Sequence, residues 1–298
     1  ALKFCTAYAN STGINHTERA TITYTMLGAI AQTQKGVTPM ITSYDVKRGL
    51  DLEIKRVVDE VASNIRICKH EVKGKTGNYP IVMHPNAYGQ LLYYTLLQSI
   101  RGDNVARGKS KLKEKVGEKI ASDTITMLDD GTNTLGANTS IRDDEGVPRQ
   151  RTHIIEKGVL KGFLWDNYWA NRTNTDSTGN ANRIMRQGLM EPQPTNTVIE
   201  QGKREIGDII AGIKHGYLIR NLQGAHSSNP ESGDYSLVGN PAILIEDGEM
   251  IGAVHGLMLA GNIYELLKQC SETARTPHIL QNIIGPEIFI EEMRVIAQ

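Results

Sequence analysis

One short pattern occurs twice in the chain and limits the fold more than any other feature. Ile155-Glu156-Lys157-Gly158-Val159-Leu160-Lys161-Gly162 and Ile245-Glu246-Asp247-Gly248-Glu249-Met250-Ile251-Gly252 both read Ile-Glu-x-Gly-x-x-x-Gly. Apolar residues flank a two-residue polar step whose second member is glycine, which enters the left-handed backbone region at no steric cost. Two strands joined by a tight turn satisfy this pattern, and a helix does not. Two such hairpins, within Thr152–Trp165 and Pro241–Val254, suggest a duplicated β-unit.

The rest of the chain fills in around them. Leu2 to Ala9 has strand-like spacing, Asn10-Ser11-Thr12-Gly13 carries turn chemistry, and the Thr-rich run Ala20 to Thr25 completes a first hairpin. Val46 to Ile67 places Leu50, Ile54, Val57, Val58 and Val61 at helical spacing between charged residues, which predicts an amphipathic helix. Pro80-Ile81-Val82-Met83 reads as an apolar strand. A helix starts at Pro85, where a missing N–H costs nothing. Arg107 to Lys119 reads as a solvated charged segment, Ile120 to Leu128 as a strand, and Asp129-Asp130-Gly131 as its turn. Ser177 to Arg183 and Gln187 to Gln193 form a polar loop region too long for a simple connector. Ile206 to Lys214 and Ile263 to Gln269 read as helices, and Tyr217 to Asn221 and Ile288 to Val295 as strands. Helices this sparse predict an α+β fold with a large, mostly antiparallel, barrel-like sheet core and a few packed helices.

Composition removes several classes of function. The 33 basic residues balance 33 acidic ones, so no net field gathers nucleic acid or an anionic membrane around the molecule. No apolar run approaches the roughly 20 residues that span a bilayer. Cys5, Cys68 and Cys270 lie far apart without metal or redox spacing, which suits a reducing cytoplasm. The chain opens directly in what reads as a strand, as though cut from a longer protein.

No phosphate-binding glycine motif and no nucleophile motif is present. Asp129-Asp130 and Asp143-Asp144-Glu145 lack the alternating spacing of a calcium loop and read as surface turns. No two of the eight histidines stand at the i, i+4 spacing that presents both rings to one metal. His84 stands out because it falls at a strand-to-helix junction. The proline that follows also explains it, as the extended residue forced at a helix start.

The order of segments is more specific than any one of them. His84 to Leu92, Arg107-Gly108-Lys109-Ser110, the Ile120 to Leu128 run, Asp143-Asp144-Glu145-Gly146-Val147-Pro148, Ile154 to Leu164, Ser177-Thr178-Gly179-Asn180, Gly233-Asp234-Tyr235-Ser236 and Ile245-Glu246-Asp247-Gly248 follow one another. From about Asn10 to the C-terminus the series resembles the TldD/PmbA family, also described as modulators of DNA gyrase. The resemblance implies an α+β protein whose catalytic TldD-type member holds zinc with His-Glu-x-x-x-His on a helix and a cysteine near the C-terminus. It also implies zinc-assisted hydrolysis of unfolded peptides, with the glutamate as general base. On this chain the motif falls on His84-Pro85-Asn86-Ala87-Tyr88-Gly89, and the cysteine position falls within Ile283-Ile284-Gly285. Only His84 remains, as a residual ligand position, and one imidazole does not hold a catalytic zinc.

That departure resembles the TldE/PmbA branch, the non-catalytic partner. The expectation is a subunit with no catalytic residue, metal or cofactor of its own, which pairs with a zinc-bearing TldD-type chain or with a second copy of itself. Residues 1–101 would be the remainder of a middle α+β region, with the family's N-terminal domain missing, and 102–298 a β-rich C-terminal domain. Thr178, Gly179, Asn180, Arg183, Asp234 and Tyr235 are candidates for the wall of a peptide cleft, with tight turns as the plain alternative. Two other readings stay open: a hydrolase using His84 with a metal completed by residues such as His226 or Cys270, and a self-assembling scaffold. With a neutral chain, any gyrase connection would be indirect and no nucleic acid is expected as a direct partner.

Overall fold

The computed structural model describes residues 1–11, 13–34, 36–184 and 188–297. Thr12 of the first predicted turn and Gln187 of the predicted loop lie outside the described residues. The fold is α+β, as its sparse helices imply. Its strands form a ten-stranded sheet, a six-stranded sheet and a three-stranded N-terminal sheet, together with small two-stranded ribbons. Among the described residues both large sheets are open and mostly antiparallel and do not close into the expected barrel. The ten-stranded sheet ends instead in Leu222–Gln223 and Glu71–Val72, each two residues long and too short to leave a sticky edge.

Strand Gly77–Met83 sits deep in the ten-stranded sheet. It runs parallel to His215–Ile219, with Ile81 opposite Tyr217, and antiparallel to Ile288–Ile296. Both faces of the sheet are covered there, and Ile81, Val82 and Met83 are fully buried, which is why the run is continuously apolar. Pro80 has no N–H to give the ladder, and the partner strand accommodates it with a bulge between Ile290 and Met293.

Both hairpins of the repeated pattern form. Arg151–Glu156 pairs with Val159–Leu160, and Ala242–Glu246 with Glu249–Val254. Lys157 and Gly158 have φ of 46° and 79°, and Asp247 and Gly248 have 47° and 83°. Positive φ at both central residues is the two-residue turn whose twist matches its strands. The first hairpin lies in the six-stranded sheet and the second in the ten-stranded sheet.

Three element expectations need correction. The first long helix is Ile54–Cys68, because Val46 belongs to strand Ile41–Lys47. Between them the Asp45 carboxylate accepts from the Glu53 N–H at 2.8 Å and Leu50 points to solvent, so its helical phase was coincidental. Only Met127–Asp130 of the Ile120 region forms a strand. Ile120, Ala121 and Ile125 are buried in turns stitched to the first hairpin, where Ile120 N–H donates to Gly158 O at 2.8 Å and Gly158 N–H to Ile125 O at 2.9 Å. The polar region after Ser177 is not all loop, since Ala181–Ile184 pairs with Leu189–Pro192.

A helix starts at Pro85 as predicted but ends at Tyr94, with Leu96 and Leu97 in a separate helical turn Leu96–Ser99; it buries Ala87, Tyr88, Leu91 and Leu92 in the main core, where Tyr88 Oη donates to Pro286 O at 3.0 Å. Strand Gly77–Met83, on the N-terminal side of the expected division at 101/102, is thus paired with and packed against strands from beyond it. No helix among the described residues is long and apolar enough to cross a membrane.

Candidate functional site

His84 ends the central strand and caps the helix that follows. Its backbone is extended (φ −70°, ψ 149°), as proline at the next position demands, and its Nδ1 accepts the Asn86 N–H at 3.2 Å. With Nδ1 accepting, the proton of the neutral ring is on Nε2. That buried atom has no hydrogen-bond partner, which costs roughly 1–3 kcal/mol. Burial holds the imidazole well below its ordinary pKa, and the nearby charges of Arg220 and His278 act in the same direction.

The positions that would complete the zinc motif do not fit the ion. Pro85 offers no base. At Gly89 a Cβ would lie 2.9 Å from Ile283 Cγ1, so the space of a second ligand is already taken by a core side chain. Ile283 belongs to strand Ile283–Gly285, where the cysteine was expected; the strand is buried, pairs with Thr197–Ile199, and carries no donor side chain. A catalytic zinc needs about three protein ligands, and this constellation supplies one.

Sequence reasoning missed two residues beside His84. The rings of His84 and His278 meet edge to face, with centroids 4.6 Å apart, and His278 Nε2 lies 2.9 Å from Glu287 Oε1. Burial works against the Glu287 carboxylate. The His278 hydrogen bond and charge, the backbone and Arg220 outweigh that burial and hold its pKa below the usual range. Among the described residues these three side chains form the only group of potential ligands close enough to share an ion, and neither His226 nor Cys270 belongs to it. Burial pushes the Cys270 thiol up to about 12, far from a ligating thiolate. No local spacing signals this group, because only the sheet brings residue 84 to the turn and strands near 278–287.

Over the vacated motif lies an open cavity of about 320 Å³. Helix Pro85–Tyr94 contributes Pro85, Asn86, Gly89, Gln90, Tyr93 and Tyr94; Thr42 and Tyr44 come from the neighbouring strand, and Asn221, Leu280, Asn282 and Ile283 close it. None of these side chains carries a formal charge. Gln90 Nε2 donates to Asn221 Oδ1, leaving amide and phenol groups around an apolar floor. A larger cavity, about 670 Å³, lies elsewhere beside Cys68, His70 and His255. Burial raises the Cys68 thiol to about 11, so this cavity holds no activated nucleophile on that side.

Of the six residues expected to wall a cleft, Arg183 borders an open cavity of about 360 Å³ and Tyr235 a separate one of about 300 Å³. Thr178 Oγ1 donates to Asn180 Oδ1 at 2.7 Å, and Asn180 Nδ2 donates to Asp129 Oδ2 at 2.7 Å, so both side chains pin the loop from inside. Gly179 is left-handed at φ 69° and packed on the Pro148 backbone. Arg183 N–H donates to Asp144 Oδ2 at 2.7 Å, Asp234 accepts from Asn262 Nδ2 at 2.7 Å, and Tyr235 is buried. No hydrogen bond among the described residues joins the Thr178–Arg183 group to Asp234 and Tyr235. Asp129 and Asp143, expected on surface turns, are buried acceptors. Asp129 takes Thr195 N–H at 2.6 Å and Thr195 Oγ1 at 2.8 Å, and Asp143 takes the N–H groups of Glu145, Val147 and Ala181. Loop backbone without a sheet partner needs such acceptors, which explains acidic residues in the interior.

Residues 76–297 match the model of the PmbA/TldA metallopeptidase C-terminal domain. The chain belongs to the PmbA/TldD family. It is 36% identical over 215 residues to an uncharacterized protein of Methanocaldococcus jannaschii, covering 71% of this chain and 50% of that one. It is 31% identical over 207 residues to the metalloprotease TldD homolog of Buchnera aphidicola, covering 70% of this chain and 42% of the relative. TldE from Thermococcus kodakarensis superposes with a TM-score of 0.92 at 39% identity, over 96% of this chain and 65% of that one. A Thermotoga maritima protein described as a modulator of a DNA gyrase shares the fold with a TM-score of 0.89 at 24% identity, over 97% of this chain and 65% of that one. The chain spans about half the length, or less, of the curated relatives it matches.

Proposed function

We propose that this PmbA/TldD-family chain is a TldE-type, non-catalytic subunit. It pairs with a TldD-type metalloprotease chain in the cytoplasm and presents the cavity over helix Pro85–Tyr94 to an unfolded peptide. The observation that carries the reading is the Gly89–Ile283 contact, which fills the place of a zinc ligand with core packing while leaving a cleft above it. Likeness to a TldE structure and to a TldD homolog supports the pairing.

An uncharged lining of tyrosine, asparagine and glutamine suits the peptide backbone, whose N–H and C=O groups need partners whatever the side chains are. Tyrosine adds broad contact at little conformational cost. No group here acts as base or nucleophile, so the cleft holds and orients a segment while chemistry takes place on the partner. Fluorescence anisotropy with a labelled, uncharged, unfolded peptide tests this. Binding should weaken about tenfold in Tyr44→Ala, a loss in the usual range for a buried aromatic anchor. Binding that is absent in the native chain, or unchanged in Tyr44→Ala and Gln90→Ala together, would sink the assignment of the cleft.

A further inference from the structure

We propose that His84, His278 and Glu287 form a divalent transition-metal site of the zinc class, built from the motif's remaining histidine and two residues outside the motif, which ties the start of helix Pro85–Tyr94 to the C-terminal strands. The potential ligand atoms all lie within 4.8 Å of one another. A tetrahedral zinc with bonds of about 2.1 Å wants them about 3.4 Å apart, so the widest pair closes by little more than an ångström. Side-chain rotation of His278 or Glu287 supplies this, exchanging their 2.9 Å contact for two bonds to the ion.

The orphaned His84 Nε2 is the second, independent observation. Coordination gives that atom a partner and moves the ring proton to Nδ1, at the cost of the 3.2 Å bond from Asn86 N–H. Two imidazoles and a carboxylate suit zinc, cobalt or nickel and are a poor set for calcium or magnesium, which want oxygen alone. Arg220 is the competing cation. Its charge reaches both His84 and Glu287, yet among the described residues its side chain makes no ion pair or hydrogen bond, so it does not lock Glu287 in place.

The three ligands come from separate segments: His84 after the central strand, His278 from His278–Ile279, and Glu287 just past Ile283–Gly285. A metal here fastens the floor of the cleft from beneath and does not depend on the chain being a peptidase or a partner subunit. The test is titration of the chelator-treated full chain with zinc and with cobalt, followed by calorimetry, cobalt absorption and thermal melting. One equivalent should bind, give the visible bands of tetrahedral cobalt and raise the melting temperature. The stoichiometric step should be lost in His278→Ala and Glu287→Gln and kept in His226→Ala. Glu287→Gln is close in shape to the native side chain and is checked for fold by circular dichroism. A chain that binds no zinc, or binds it equally in both site variants, overturns the site. Zinc bound here together with peptide cleavage by the isolated chain keeps the site and overturns the non-catalytic reading instead.

Discussion

Gly89 and Ile283 carry the proposed reading at the scale of single residues. Any side chain at 89 meets Ile283, which is itself enclosed, so overpacking sets the cost. Gly89→His should destabilise the chain by about 1–3 kcal/mol in denaturant unfolding. Because the two residues touch, Gly89→His combined with Ile283→Ala should lose less than the sum of the single changes, and strict additivity would show that the contact is not the cause. Asp129 makes a prediction in pH. Burial pushes its carboxyl up to about 6 against the opposing hydrogen bonds of Asn180 and Thr195. A raised carboxylate pKa means the folded state binds the proton more tightly, so this contribution is complete below about pH 4 and is lost as pH rises through 6. A shift of that size is worth roughly 3 kcal/mol. The difference in unfolding free energy between native protein and Asp129→Asn should therefore change across this window and level off above it. A constant difference from pH 4 to 7 would contradict the account.

At the scale of elements, glycine and proline carried most of what could be read. Gly158 and Gly248 marked the turns of two hairpins and Pro85 a helix start, because glycine enters the left-handed region without steric cost and proline fixes its own φ wherever it occurs. Gly158 does more than turn. A Cβ there would overlap the carbonyl oxygen of Ala121, whereas Gly108, also left-handed at φ 73°, has open space around it. Gly108→Ala should cost about 1 kcal/mol of backbone strain. Gly158→Ala should cost at least about 2 kcal/mol more through the clash, and equal melting temperatures for the two variants would refute that difference. The failures have physical causes as well. Ile120 to Ile125 look like a strand because buried turn residues are also apolar, and their hydrogen bonds go to a distant hairpin that no local pattern reveals. Val46 and Leu50 fall in phase with the helix that follows, but the strand runs on to Lys47 and Asp45 ties the connection down.

For the whole molecule, the lost motif could be read along the chain because a helix keeps the positions one and five residues beyond His84 in fixed relation. The surroundings of His84 could not. His278, Glu287, Arg220 and the walls of the cleft arrive through sheet pairings between remote segments, as when Ile81 lies opposite both Tyr217 and Ile290. Among the residues expected at a cleft, Thr178, Asn180 and Asp234 are polar and near glycine for a reason the sequence does not separate from binding: their side chains make hydrogen bonds within the chain. On the proposed reading the chain keeps a cleft and leaves cleavage to its partner. The most direct test is reconstitution with a TldD-type chain that has an intact His-Glu-x-x-x-His, scored for association and for cleavage of an unfolded peptide. A complex should form whose cleavage vanishes when the partner's motif glutamate is replaced and survives His84→Ala in this chain. Cleavage by this chain alone, abolished by His84→Ala, would contradict the account.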